Sequence, residues 1–398
     1  MAGILAGIRI VSLSTGIAGP NAARMLANYG AEVFKVESRA GGLDAFRSYG
    51  DTPESSPRFV EVNLNTRSIT LNLKRPEGVA LLKELVAVAD VVMDNFRPGV
   101  MERLGLGPDE LLAIKPDLIV VRMPGLGSTG PLSGYGTWGP TLTAYSGLTY
   151  LWNHPGQPRP VGSQGVYPDY LTGVMVPVVV TAALLQRRRT KKGTVIDVAQ
   201  VDLAAYMLGT IFLDALVNGR DAQPRGNDSP HMAPHGCYRC SGTDRYCVIA
   251  VEDDEQWHAL CGVVGPTIAD DARFATFVGR QHHRTELNAA IASWTESRDA
   301  VEVMEVLQRA GVPAGVVQSG ADLAADEHLE ARGFLETVSH PILGEITMAG
   351  LPIHFSLGGA ESYKSPPPLG SDNEYLITGL LGHDADELAK FQEQEIVY

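Results

Sequence analysis

The sequence predicts an α/β fold, a doubly wound parallel sheet (Rossmann-like) forming a large domain, with a smaller α+β domain beside it. Three observations carry that reading. Short apolar runs alternate with amphipathic helical patterns through the first half of the chain, and strands separated by helices imply a parallel sheet covered on both faces. The chain has 398 residues and is 44% hydrophobic, more than one compact core usually organises. A polar stretch rich in Gly and Pro then interrupts the pattern at residues 218–234.

Taken in order, residues 8–13 read as a strand ending in Ser-Thr-Gly, and residues 20–29 as an amphipathic helix stopped by Gly30. A second strand covers 32–36. The pattern continues with a helix over 76–88, a strand over 91–94, a helix over 108–114 and a strand over 118–122. Residues 125–168 form a long loop rich in Gly, Pro and aromatics, too organised to be a linker. A helix over 170–186, a strand over 195–199 and a helix over 201–217 follow. The break at 218–234 places the large domain at residues 1–222 plus 331–398 and the small domain at 223–330. Within the small domain, helices are expected at 254–263, 284–295 and 300–310. The tail reads as strands from residue 334, a Pro-rich stretch at 366–368 and a helix over 385–393.

Lys and Arg total 32 against 46 Asp and Glu, a formal charge of −14, which argues against binding a nucleic-acid backbone. A polyanionic ligand remains compatible where a few basic residues converge. No basic cluster precedes a long apolar run at the start, so a cytoplasmic location is expected. The longest apolar run, residues 174–185, contains Pro177 and falls short of the roughly 20 residues that cross a bilayer; it reads as a buried helix, with no membrane partner. Cys237, Cys240, Cys247 and Cys261 include a Cys-x-x-Cys pair. Structural zinc favours two tight pairs, so reduced, packed thiols and no metal are expected.

Two local patterns invite functional readings. Gly125-Leu-Gly127-Ser-Thr-Gly130 matches the dinucleotide pattern, but Pro131, Ser133 and Gly134 follow where a helix should open, and Tyr150 stands where the ribose-binding acid belongs. The run is a loop that brings backbone close to some other ligand. Asp169, just ahead of the apolar helix, suits an N-cap, which stabilises a helix by about 1 kcal/mol. The same placement makes it an aimed, partly desolvated nucleophile.

Several segments decide between those readings. Gly7-Ile-Arg-Ile-Val-Ser-Leu-Ser, Ala18-Gly-Pro-Asn-Ala-Ala-Arg-Met-Leu and Gly30-Ala-Glu-Val-Phe-Lys-Val-Glu are followed by Asn65-Thr-Arg-Ser-Ile-Thr-Leu-Asn-Leu-Lys74, Asp94-Asn-Phe-Arg-Pro-Gly99, Arg225-Gly-Asn227 and Ala310-Gly-Val-Pro-Ala314. In that order they resemble the class III CoA-transferases, the formyl-CoA and carnitine CoA-transferase (CaiB/BaiF) type, nearly end to end. The resemblance implies that Asp169 is the catalytic carboxylate and that a coenzyme A thioester is co-substrate, with no tightly bound cofactor. By position it assigns CoA contacts to Ile17, Ala18, Arg39, Leu71, Asn72, Leu73, Lys74, Asn95, Phe96, Arg97, Arg103, Trp138, Gly139 and Pro140. The family's arginine near Arg39 falls one place earlier, at Ser38. Lys74, Arg97 and Arg103 suit CoA's phosphates by their chemistry.

A 2-methylacyl-CoA racemase resembles the first half of the chain as well, but it needs a His and an Asp as paired bases. Trp138 occupies the histidine position, and His154 is the only histidine between residues 125 and 169. A catalytically silent CoA-binding subunit is a further alternative, one that would have no need of Asp169. The family often closes its site with a glycine-rich loop from the small domain. Here the corresponding run is Asp228-Ser-Pro-His-Met-Ala-Pro-His-Gly236. His231, His235 and Arg225 suit a second carboxylate on the acceptor, while Tyr145 and Tyr167, with Trp138, Tyr150 and Trp152, suit an apolar or aromatic wall. A dicarboxylate or aryl-substituted acid, with a donor such as succinyl-CoA, is therefore expected. The family's interlocked subunits imply an obligate dimer, of identical or related chains.

Overall fold

Six short strands with apolar side chains alternating between two faces build the sheet that positions everything else. They are β1 (Arg9–Ser12), β2 (Glu32–Glu37), β3 (Arg67–Thr70), β4 (Val91–Asp94), β5 (Ile119–Arg122) and β6 (Thr194–Asp197). The computed structural model describes residues 3–162, 165–358 and 362–398. All neighbouring strands pair in parallel, in the order β3-β2-β1-β4-β5-β6. Strand order reverses between β1 and β4, the position beyond whose carboxyl ends doubly wound sheets hold ligands.

The helices of this part are α1 (Ala18–Asn28), α2 (Pro57–Val62), α3 (Pro76–Val88), α4 (Val100–Arg103), α5 (Pro108–Ile114), α6 (Gly139–Tyr145), α7 (Leu148–Leu151), α8 (Tyr167–Thr190), α9 (Gln200–Tyr206) and α10 (Gly209–Asn218). On one face of the sheet, Val11, Phe34, Ile69 and Val92 pack with Leu81, Leu82 and Leu85 of α3. On the other, Ile10, Val33, Val91 and Ile119 pack with Leu26 of α1 and Val176 and Val180 of α8. The tail of the chain returns to the first face, where Leu376, Ile377, Ile396 and Val397 are fully buried.

The chain divides into two compact units, Met1–Thr149 with Ser163–Asp221 and His328–Tyr398, and Tyr150–Gly162 with Ala222–Glu327. Residues 150–162 thus group with the second unit, although they sit inside the first unit's sequence. The second unit has a three-stranded antiparallel sheet of β7 (His235–Arg239), β8 (Tyr246–Ala250) and β9 (Ala314–Val316). With it go α11 (Asp254–Val264), α12 (Pro266–Ala269), α13 (Phe277–His282), α14 (Arg284–Thr295) and α15 (Ala300–Arg309). Its own core gathers Trp257, Leu260, Phe274, Leu287, Ile291, Val303 and Leu307. Cys240 and Cys247 are buried there as free thiols, and burial pushes Cys247 up to about 12. Among the described residues, no group of three or more His, Cys, Asp or Glu is arranged to hold a metal ion.

Around the site the structure differs from the sequence reading in several elements. Strand β3 and helix α2 were not read from the pattern, because β3 has four residues and opens on an arginine and a serine. The loop at 125–168 contains α6 and α7; Gly139-Pro140 reads as a turn, but a proline in the first helical turn starts a helix, since its missing N–H would lack a partner there anyway. The helix expected at 201–217 is two helices, α9 and α10, meeting at a 69° bend. Helix α8 begins at Tyr167 and runs 24 residues, so Asp169 lies inside its first turn. By length and apolar composition α8 matches a membrane span. It is buried on one face only: Val176, Pro177, Val180 and Leu184 are buried, while Val174, Val178 and Leu185 are exposed.

The returning tail is part of the core, so the side chain of Ile377 should matter as much as one on a central strand. Ile377→Ala is expected to cost about 2–4 kcal/mol of stability, read as a lowered midpoint in urea unfolding with the slope unchanged.

Candidate active site

At the switch point, the loops after β1 and β4 are tied to each other. Asn95 accepts from the Thr15 backbone N–H at 2.9 Å and donates to the Thr15 carbonyl at 2.7 Å. The loop after β1 is held from a second side by charge. Lys35, buried in the middle of β2, donates to the Ser14 carbonyl at 2.5 Å and pairs with Asp44 at 2.6 Å. Asp44 also accepts from the backbone N–H groups of Gly16 and Phe46. One turn of strand further on, Glu37 pairs with Arg47 at 2.7 Å and accepts from the Asp44 N–H at 3.0 Å. The Arg47 guanidinium lies 3.7 Å from the centre of the Phe59 ring, a cation–π contact that offsets part of its desolvation. All four charged side chains are buried. None was singled out in the sequence, although Glu32-Val-Phe-Lys-Val-Glu37 places Lys and Glu on an otherwise apolar strand, and such charges are almost never buried unless paired.

These loops enclose a cavity of about 360 Å³, with Thr15, Glu37, Ser38, Leu73, Lys74 and Phe96 in its wall. Of the residues assigned to CoA, Leu73, Lys74 and Phe96 line it directly, and Asn95 shapes it through Thr15. Leu71 and Asn72 do not present side chains to it. Leu71 is fully buried in the core, and Asn72 holds the tail, its N–H on the Ile396 carbonyl at 2.8 Å and its side chain on the Glu395 carbonyl at 3.1 Å. Arg39, Arg97 and Arg103 are exposed, and Arg39 lies over the Tyr398 ring at 5.7 Å. Three exposed cations outside the cavity suit a phosphate chain running over the surface better than one buried phosphate.

Asp169 is the third residue of α8, and the N-cap is Val166, which makes no side-chain cap. The carboxylate is therefore not consumed by capping, contrary to the sequence reading. Its Oδ2 is buried and has no hydrogen-bond partner, and burial pushes the acid up to about 6, opposed only by the residue's own N–H. Ser163 and Gln164, in the run before it, lie outside the described residues. Gly139, the first residue of α6, faces Oδ2 so closely that a Cβ there would lie 2.2 Å away. Ile17, at the N-cap of α1, packs in a small cluster with Phe46, Phe59 and Val62, against which Val166 also lies; Ala18 is buried behind it. The first turns of α6 and α8 thus meet at the carboxylate, with the start of α1 packed against Val166 through Ile17. Trp138 and Pro140 flank Gly139 with exposed side chains. Tyr145, also exposed, is the last residue of α6, and Tyr167 opens α8.

The glycine run after β5 serves backbone packing. A Cβ on Gly125 would lie 1.9 Å from the Thr137 hydroxyl, Gly127 and Gly130 take positive φ, and no helix opens until Gly139. In the second unit, Arg225 and His235 line one cavity. His231 is exposed and does not line that cavity; its N–H donates to the Ser229 hydroxyl.

Two outcomes follow from this geometry. Gly139→Ala should displace Asp169 and lower kcat by about 100-fold, with far-UV circular dichroism unchanged. Lys35→Met should destabilise the protein by about 3–5 kcal/mol in chemical unfolding, because Asp44 would be left buried and unpaired.

Comparison with known proteins agrees with this architecture. The CoA-transferase family III model matches residues 5–373. The chain is 33% identical over 397 residues to the succinyl-CoA–D-citramalate CoA-transferase of Chloroflexus aurantiacus, covering 98% of this chain and 97% of that protein. It is 30% identical to the succinyl-CoA:glutarate CoA-transferase of Mus musculus, covering 97% and 88%. The crystal structure of a CaiB/BaiF family protein from Brucella suis superimposes with a TM-score of 0.87 at 30% identity, covering 96% of this chain and all of that one. A sheet opened at its switch point, a cavity at the carboxyl ends of β1 and β2, and this relatedness across nearly the whole length make the chain a member of CoA-transferase family III and an enzyme that transfers coenzyme A.

Proposed function

We propose that the enzyme moves CoA from succinyl-CoA to a small organic acid through a thioester formed on Asp169. The observation that carries the reading is a buried carboxylate oxygen left without a hydrogen bond in the first turn of α8. A group kept desolvated and unpaired at a cost to stability is best explained by chemistry.

In the first half-reaction, the Asp169 carboxylate attacks the donor's acyl carbon and expels CoA thiolate, leaving a mixed anhydride. The thiolate then attacks the Asp169 carbonyl, which releases succinate and leaves aspartyl-CoA. The acceptor carboxylate displaces the thiolate to form a second anhydride, and attack of the thiolate on the acceptor's acyl carbon restores Asp169. Overall one thioester is exchanged for another of similar energy, so no external energy source is needed. The chain's own contribution is to hold the carboxylate dry, since water would hydrolyse either intermediate, and to aim it with Gly139 at its back. An acid held near 6 by burial is ionised at neutral pH yet more basic than a solvated aspartate, which suits a carboxylate nucleophile. CoA's nucleotide end is assigned to the cavity at Lys74 and Phe96, with Arg39, Arg97 and Arg103 on its phosphates.

The named relatives use succinyl-CoA with dicarboxylic acceptors, which favours the dicarboxylate over the aryl acid for this chain. Racemisation is disfavoured because Trp138, at the N-cap of α6, stands where the second base belongs. The exposed apolar residues Tyr206, Leu213, Leu216 and Val217, on and beside α10, supply a surface for subunit pairing of the interlocked kind. Light scattering should then give twice the mass of the chain.

Asp169→Asn tests the mechanism with two readouts of opposite sign. Transfer from succinyl-CoA should be abolished, and the CoA adduct that mass spectrometry detects on wild type after incubation with succinyl-CoA should disappear. Stability should rise. Burial favours the protonated acid, so the penalty for ionising it develops as pH climbs from the ordinary aspartate value to about 6 and is complete above that. At pH 8 removing the charge should recover about 2–3 kcal/mol. The same pKa predicts that kcat/KM for the donor falls about tenfold per unit below pH 6, as the nucleophile is protonated. Undiminished transfer by the variant would sink the mechanism.

A further inference from the structure

We infer that the second unit carries a binding site of its own for a short α,ω-dicarboxylate. Its cavity of about 440 Å³ has basic ends and an apolar floor. At one end stand Arg225, His154 and His235. His154 is seated over Gly226, where a Cβ would lie 2.6 Å from its Nδ1. His235 donates its Nδ1–H to the Asn227 carbonyl at 2.5 Å, which leaves Nε2 as the free ring nitrogen. At the other end stands Arg239. His235, Cys237 and Arg239 alternate along β7, so they share one face of the strand, and the two ends lie about 13 Å apart along it. Between them the floor is Cys237 and, from α14, Ala289 and Ala292, three positions apart on one side of that helix.

The charge balance of the cavity points to a dianion. Among the described residues, neither Arg225 nor Arg239 has a carboxylate partner. The one acid in the wall, Asp228, is paired with Arg284 at 2.7 Å, outside the cavity lining. The polar groups of the floor are satisfied internally, with the Tyr238 hydroxyl donating to Asn288 at 2.7 Å. A single phosphate would engage one end only. A chain with a carboxylate at each terminus and methylenes between matches basic groups at both ends and the small apolar side chains in the middle, and arginine is the side chain best suited to hold a carboxylate in two bonds.

The assignment stands apart from thioester formation on Asp169 and is tested without CoA. Glutarate titrated calorimetrically into the full-length protein should bind saturably, with butyrate and orthophosphate each about tenfold weaker or more. Arg239→Ala and the more conservative Arg239→Gln should weaken glutarate about tenfold while leaving butyrate unchanged, because a monoacid uses one end only. Arg239 is exposed, and circular dichroism checks the folding of each variant. Asp169→Asn should bind glutarate as wild type does, so a failure of the transfer mechanism leaves this result standing. Equal binding of butyrate and glutarate, phosphate binding as tight as glutarate, or indifference of glutarate binding to both Arg239 variants would overturn the proposal.

Discussion

The buried ion pair between Lys35 and Asp44 is the constraint on which the ligand face of the first unit depends. A parallel sheet opens at its switch point because the connections leave in opposite directions there, and the loops at that opening have no ladder to hold them. Lys35 supplies the hold from within β2, reaching the Ser14 carbonyl and Asp44 together. Asp44 passes it to Gly16 and Phe46, and Glu37 with Arg47 repeats the device beside it. Buried pairs gain little net stability over apolar residues of similar size, but they are intolerant of losing one partner. The arrangement therefore specifies one loop geometry more than it stabilises the fold.

A different physical logic governs the site proposed around Asp169. Beside the cavity Lys35 and Asp44, and Glu37 and Arg47, answer one another; at Asp169 one carboxylate oxygen is left without a partner and burial raises the acid. The contrast fits the role proposed for Asp169. Charges that hold a loop are best neutralised, whereas a nucleophile must keep a lone pair free. The residue's own N–H favours the ionised form against burial, and the absence of a side chain at Gly139 makes room for the carboxylate.

Relatedness across nearly the whole chain establishes the reaction class, whereas the placement of individual side chains is decided by the fold of this chain. Arg239 illustrates the point: nothing in its sequence context marks it, and only the period of β7 brings it onto the face that His235 shares.

By itself the sequence determined the alternating α/β order, the sheet class, the break before the second unit and the candidacy of Asp169, because periodicity, glycine stops and motif order are local properties. Only the tertiary structure decided that Asp169 lies within a helical turn, that Leu71 serves the core and Asn72 the tail, that residues 150–162 group with the second unit, and that Lys35 and Glu37 are paired. The physical reason is the same in each case. Hydrogen-bond and ion-pair partners tens to hundreds of residues away set the state of a buried polar group, and a short strand such as β3, or a helix opening on Gly-Pro such as α6, takes its conformation from what packs against it.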